Sequence, residues 1–235
     1  MHYEHFKQRD PRVLKALVEN FPFATITANG PDGPVIAYAP LTFRQDTNTN
    51  GIVEFHLAKE NPITPYLTNE TKLTIVVNGP SASISPSWYT ARFPTDKADR
   101  SETAPTYNYI SANIKGSIQV MDDSSLVNQI SDLVKKNQPT EGWKIQEIDP
   151  VIFSKWRGRV SGFRIIIESF DLTAKLSQEQ NVADRPGIIS GLQKRAEVSD
   201  LAMAEIIEIF DGTPESLVNA LHTVGHQLSK PSGNL

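Results

Sequence analysis

None of the 235 residues is a cysteine. That absence excludes disulfides, thiolate metal sites and cysteine nucleophiles together. Positive charge is not in excess either: 23 Lys and Arg stand against 27 Asp and Glu, a formal net charge of −4. Affinity for a phosphate backbone or an anionic lipid surface comes mostly from Lys and Arg, so this balance argues against direct DNA binding and against membrane docking. No apolar run is long enough to span a bilayer. The opening Met1-His2-Tyr3-Glu4-His5-Phe6-Lys7 has no apolar signal core, so a cytoplasmic setting is expected. The G-x-G-x-x-G, P-loop, H-E-x-x-H and G-x-S-x-G patterns are all missing. His222 and His226 are four apart but have no third ligand nearby, so no metal site is expected.

What is present is apolar content of 39%, with 16 prolines and 13 glycines. That combination suits a many-stranded fold with frequent turns. Asp10-Pro11 reads as a helix start, followed by Val13, Leu14, Leu17 and Val18 at helical spacing. Strands are expected over 23–28, 35–43, 52–57, 72–78, 107–120 and about 160–172, with turns at 29–34 and 48–51. Asn61-Pro62 is expected to open a short helix, residues 83–89 to be extended, and the polar stretch 91–104 to be a mobile loop. Along 107–120 the residues Ile110, Ala112, Ile114, Ile118 and Val120 share one face and polar residues the other. Helices are expected over about 123–137, around 150–157, and in three segments between 187 and 228. Without βαβ alternation, the reading is a β-barrel with peripheral helices, an α+β class, rather than a Rossmann sheet. The domain expectation is a β body over 1–181 and a helical appendage over 182–235.

Several short segments carry chemistry. They are His56-Leu57-Ala58-Lys59-Glu60-Asn61-Pro62, Ser85-Pro86-Ser87-Trp88-Tyr89, Pro105-Thr106-Tyr107-Asn108-Tyr109, Lys175-Leu176-Ser177-Gln178 and Ala183-Asp184-Arg185-Pro186-Gly187. In this order they resemble the PaiB family, the FMN-binding "negative transcriptional regulator" type of split barrel. The resemblance runs from Phe6 to about Leu192, and Phe21-Pro22-Phe23-Ala24-Thr25 and Ala39-Pro40-Leu41 match its opening hairpin. The sequence departs from the family's usual residues at Tyr38, Ala39, Tyr107, Ala174 and Glu179, where the family has Asn at the last.

The resemblance implies a six-stranded antiparallel split barrel of the FMN-binding type with a C-terminal helical extension. It also implies a homodimer holding FMN at its interface. FMN requires donors for a phosphate dianion, an apolar slot for its ring and hydrogen bonds at the ring's polar edge. Lys59, Lys115, Lys175 and Arg185 can supply charge. Ser85, Ser87, Thr106 and Ser177 can supply hydroxyls, and Trp88 can stack on a ring. Asn61, Asn108 and Gln178 have amides suited to a pyrimidine edge. His56, Tyr89 and Tyr109 are the candidates for proton transfer. Structural alternatives stand beside these: Trp88 can fill the core, His56 can bond a neighbouring backbone, Asn61 can cap a helix, and Lys175 and Arg185 can be paired charges. The functional expectation is a flavin-dependent oxidoreductase or redox sensor. The alternatives are a haem-binding or haem-degrading barrel, a cofactor-free enzyme, and a non-catalytic transcriptional regulator.

Overall fold

The computed structural model describes residues 3–46, 50–139 and 141–229. His2 and part of the expected turn at 48–51 lie outside them. Eight strands form one sheet: β1 (Lys7–Gln8), β2 (Phe23–Gly30), β3 (Gly33–Pro40), β4 (Thr42–Arg44), β5 (Ile52–Ala58), β6 (Lys72–Ile84), β7 (Thr106–Val120) and β8 (Val160–Lys175). Neighbours run β3-β2-β6-β7-β8-β5-β4, with β1 beside β8. The pairings β1–β8, β2–β3, β2–β6, β4–β5 and β5–β8 are antiparallel.

The mostly antiparallel sheet with helices is as expected, but the count of six strands is not met. Two differences account for the excess. Pro40 has no N–H to continue the ladder, and the Leu41 amide turns to the Pro22 carbonyl at 2.9 Å, so the expected strand over 35–43 breaks into β3 and β4. Lys7 and Gln8 add a two-residue edge beside Thr173 and Leu172. The end strands of the order, β3 and β4, do not pair with each other among the described residues, so the order is open.

Smaller corrections follow the same logic. β6 does not stop at Asn78 but runs through Gly79 and Pro80 to Ile84. Gly79 lies against Leu17 and Ile110, where a Cβ would be tight. The helix expected after Asn61 is a single 3-10 turn over Thr64–Tyr66. The segment over 83–89 leaves the sheet at Ser85 into another, Pro86–Trp88.

The helices are α1 (Pro11–Asn20), α2 (Asp123–Asn137), α3 (Pro150–Arg157), α4 (Arg185–Arg195), α5 (Asp200–Ile209) and α6 (Pro214–Ser229). No helix among the described residues is long and apolar enough to cross a membrane. The chain divides into two compact units. The first comprises Met1–Phe21, Asn78–Ala112 and Asp171–Leu235. In it α1 buries Val13, Leu14, Leu17 and Val18 while α6 buries Leu217, Leu221 and Val224, and these two helices pack together. α5 packs between α4 and α6 through Met203, Ile206 and Ile207. The second unit comprises Pro22–Val77 and Asn113–Phe170. There α2 lies on β4 and β5. Phe55 and Phe163, paired across β5 and β8, sit with ring centroids 5.4 Å apart in its core.

Candidate functional site

β8 ends at Lys175, and the chain then makes a tight turn. Ser177 adopts a left-handed conformation, φ 62°, which costs a residue with a Cβ on the order of 1 kcal/mol. The Gln178 side chain closes this turn. Its Oε1 accepts the Leu176 amide at 2.6 Å and its Nε2 donates to the Ala174 carbonyl at 2.8 Å. Gln178, expected at a cofactor's edge, therefore spends its amide on shaping the loop.

The turn positions two buried polar pairs. The Lys175 side chain is 5% exposed; its ammonium donates to Thr106 Oγ1, lies 5.7 Å from the centre of the Phe6 ring and stands 3.8 Å from Glu179. Two residues on, Asn108 is fully buried and its Nδ2 donates to Ser177 Oγ at 2.8 Å. Asn108 Oδ1 is buried with no hydrogen-bond partner among the described residues. A buried acceptor left without a donor costs about 1–3 kcal/mol, so this atom is one that a ligand's donor would satisfy.

Ser177 also lines a cavity of about 300 Å³ with Leu176, Gln178, Arg185, Phe210 and Asp211. Arg185 lines it with most of its guanidinium committed. Nε donates to the Ile207 carbonyl at 2.8 Å, and Nη2 donates to the carbonyls of Ile207 and Phe210. Arg185 thus ties α4 to the C-terminal end of α5, and burial lowers its pKa. Its neighbour Asp184, 1% exposed, accepts the amides of Ala91 and Arg92 at 2.7 and 3.0 Å. This pins the start of the 91–104 loop. Within that loop Phe93 is buried beneath Arg92 and Arg100, whose guanidinium carbons lie 5.2 and 5.7 Å from its ring centre.

The Ser-Pro-Ser-Trp-Tyr segment is in the same unit. Ser85 Oγ accepts the Ser87 amide at 3.2 Å, and the two hydroxyls bond at 2.7 Å. The Trp88 ring lies on Gly191, where any Cβ would collide with it, and the Arg195 guanidinium carbon sits 5.0 Å from the ring centre. Trp88 therefore docks α4. Tyr89 is buried, and burial, reinforced by Glu179 and Asp184, raises its pKa. Tyr109 is half-buried on β7.

The remaining candidates belong to the second unit. Gln129 Nε2 donates to Thr42 Oγ1 at 3.2 Å, and its Oε1 hydrogen-bonds His56 Nδ1 at 2.7 Å. His56 thus clamps α2 onto β5. Asn61 Oδ1 accepts the Ile63 amide at 3.2 Å and shapes its own turn. Lys59 and Lys115 are exposed, and Lys115 lines a groove with Lys72 and Glu168. Sequence reasoning did not single out Gln129 or Asp211, and it read Phe210 only as part of an apolar helix face with Met203, Ile206 and Ile207. Gln129 had a signal, a polar residue on the Leu126–Leu133 face of α2. Asp211 sits after that face, where spacing carries none. Among the described residues no three His, Asp or Glu side chains gather to hold a metal ion.

Residues 1–169 match the family described as "Putative FMN-binding domain". The chain belongs to that family. Among its relatives is Protease synthase and sporulation protein PAI 2 of Bacillus subtilis, 23% identical over 207 residues, which cover 87% of this chain and 95% of that protein. The uncharacterized protein AN0679 of Emericella nidulans is 23% identical over 232 residues, 83% of this chain and 91% of that one. The PaiB resemblance is therefore met. Two solved structures share the fold. The flavocytochrome Anf3 from Azotobacter vinelandii superposes with a TM-score of 0.55 at 14% identity, over 74% of this chain and 72% of that one. The FAD and heme binding protein from Mycobacterium smegmatis gives 0.53 at 14%, over 79% and 80%.

FMN offers a phosphate dianion, a chain of hydroxyls and a ring edge with one N–H donor among carbonyl acceptors. The buried set matches that polarity. Lys175, Thr106 and Ser177 are donors to oxyanion or hydroxyl oxygens, and Asn108 Oδ1 is an acceptor awaiting a donor. The residues present therefore fit the polar half of the cofactor. Thr106 and Asn108 fall within the matched 1–169, and Lys175 and Ser177 follow it.

Proposed function

We propose that this protein binds FMN through Thr106, Asn108, Lys175 and Ser177 and works as a flavin-dependent redox protein, an oxidoreductase or a redox sensor. The observation that carries this reading is the unpartnered Asn108 Oδ1 beside a buried ammonium, in a chain of an FMN-binding family. A bound flavin supplies hydride or one-electron chemistry that no side chain here provides. The protein's part is to hold and orient it. Lys175 Nζ and Thr106 Oγ1 meet anionic oxygen, Asn108 Oδ1 takes a donor proton, and Ser177 Oγ, already receiving the Asn108 amide, keeps its own proton to give. Tyr89, buried in the same unit, is the candidate proton donor; burial, with Glu179 and Asp184, raises its pKa, so the phenol stays protonated and gives up its proton reluctantly.

The same reading makes the protein a cytoplasmic homodimer. The support for self-association is an apolar face on β2 and β3. Phe23 and Tyr38 are 67% and 61% exposed with their rings stacked at 6.3 Å, and Ile36 beside them is 51% exposed.

Flavin fluorescence during titration of the purified chain with FMN tests the cofactor. Saturable quenching is expected, weakened by about 1.5–3 kcal/mol in Lys175→Gln through loss of a charged hydrogen bond. A wild-type chain, folded by circular dichroism, that leaves FMN fluorescence unchanged would overturn the proposal.

A further inference from the structure

Lys175 and Asn108, at the heart of the polar cluster, are closed to solvent: the lysine side chain is 5% exposed and Asn108 is fully buried. A ligand for them must therefore enter past something that moves. The Phe6 ring covers the cluster, its centre 5.7 Å from Lys175 Nζ. Phe6 is itself buried, and the exposed rings of His5 and Tyr3 lie on it, with centroids 4.0 and 6.0 Å from its own. The elements around the cluster differ in how firmly they are held. Thr106 and Asn108 belong to a strand of 15 residues, and Lys175 to one of 16. The turn after Lys175 is closed by both ends of the Gln178 amide and by the Asn108–Ser177 bond. Residues 3–9 have much less. β1 is two residues long and pairs with β8 alone among the described residues. Lys7 Nζ donates to Asp171 and, at 3.1 Å, to Thr173 Oγ1, while Glu4 and Arg9 form an exposed ion pair that adds little. From Asp10 the chain is fixed again, because Asp10 caps α1 and Val13 and Leu14 are buried.

We infer that residues 3–9 are a strap over the cluster, which swings about residues 9–10 to admit a phosphate-bearing ligand and returns Phe6 over Lys175 to close the site. Segments held by few bonds are the ones that open locally while the rest of a fold stays intact. Closure keeps water from the Lys175 ammonium, and a lower local dielectric strengthens its bond to anionic oxygen. The identity of the ligand rests on the flavin reading above; the motion of the strap does not.

The chain has no cysteine, so a single disulfide can be introduced without competing thiols. Lys7 stands opposite Thr173 in the β1–β8 ladder, and directly opposed positions are close enough to bridge with a small backbone adjustment. The double variant Lys7→Cys, Thr173→Cys therefore locks the strap when oxidised and releases it when reduced. Two rates are read in each state of the full chain. One is acetylation of Lys175 by acetic anhydride, measured by peptide mass spectrometry against the exposed Lys59. The other is association of FMN, followed by stopped-flow fluorescence. Both are expected to be at least about tenfold slower in the oxidised state, since each requires the open strap. Equal acetylation of Lys175 in the two states overturns the inference, and so does FMN association that ignores the lock. If neither state nor the wild type binds FMN, the flavin reading fails and Lys175 acetylation alone decides the strap. Should the double variant not fold by circular dichroism, Lys7→Ala takes its place. It removes both side-chain bonds of the strap, so the two rates are expected to rise several-fold over wild type, and unchanged rates overturn the inference.

Discussion

At Lys175 an ammonium group is 5% exposed, a position that needs compensation for lost hydration. The Thr106 hydroxyl, the Phe6 ring and Glu179 at 3.8 Å supply it. Glu179 stands where the PaiB family usually has Asn, and its carboxylate competes with any anionic ligand for Lys175. Glu179→Asn is therefore expected to tighten FMN several-fold in the fluorescence titration; an unchanged or weaker Kd would detach Lys175 from the phosphate. The 175–178 motif stood out in the sequence as a functional candidate because three of its four residues are polar where a strand ends. What the sequence did not disclose is how those polar groups are spent. Gln178 bonds within its own turn, whereas Arg185 reaches carbonyls 22 and 25 residues away, a long-range choice that local pattern does not encode. Trp88 could have been core or platform, and only its seat on Gly191 decides between them.

Between elements, the second unit is tied together by one carboxylate. Glu54 on β5 is 1% exposed; it accepts from Arg44 Nε at 2.8 Å and from Arg164 Nε and Nη2 at 2.9 and 2.6 Å. Arg44 also reaches Asp132 on α2 at 2.5 Å. Glu54→Gln would leave two guanidiniums without their shared anion, at a cost of about 3 kcal/mol in urea unfolding; a loss under about 1 kcal/mol would mean that the arginines find water instead. The acid was visible as a break in the apolar run Ile52-Val53-Glu54-Phe55, but its partners lie on other strands. In the first unit Arg195 bonds Asp200 at 2.6 Å, and this bond lowers the Asp200 pKa. A depressed carboxylate adds stability above its unfolded value of roughly 3.9 and loses it as pH falls through the folded one. The Tm of wild type should thus fall below about pH 4 more steeply than that of Asp200→Asn; parallel curves would remove the pair from the acid response. Helix ends were the best-read elements, since caps are local. α2 spans the expected residues, and Asp122 caps it by accepting the Ser125 amide.

For the whole molecule, alternation marked the strand over 107–120, and turns and β-branched runs the other main strands, but the partition into two units, each built from separate stretches of chain, depends on pairings such as Lys7 with Thr173 and Ala24 with Val77. Such partners are distant in sequence, and no composition shift announces them. Surface chemistry is more readable at this scale. Thr25 faces Tyr38 and Thr27 faces Ile36 across β2 and β3, so Phe23, Ile36 and Tyr38 share one face. All three are more than half exposed, and a monomer rarely leaves such a patch bare without use. β3 also ends the sheet order, so its outer edge carries unpaired backbone groups. If this face is the dimer contact, Tyr38→Glu places a charge in each copy against the other, and a twofold interface doubles the penalty. Light scattering after size exclusion should then give a dimer for wild type and a monomer for Tyr38→Glu, with an unchanged circular dichroism spectrum because Tyr38 contributes little to the core. A dimer that survives the substitution would move the contact elsewhere. A monomeric wild type would leave FMN to be bound by one chain alone, and the titration should then follow the single-chain cluster at 106, 108, 175 and 177 without dependence on protein concentration.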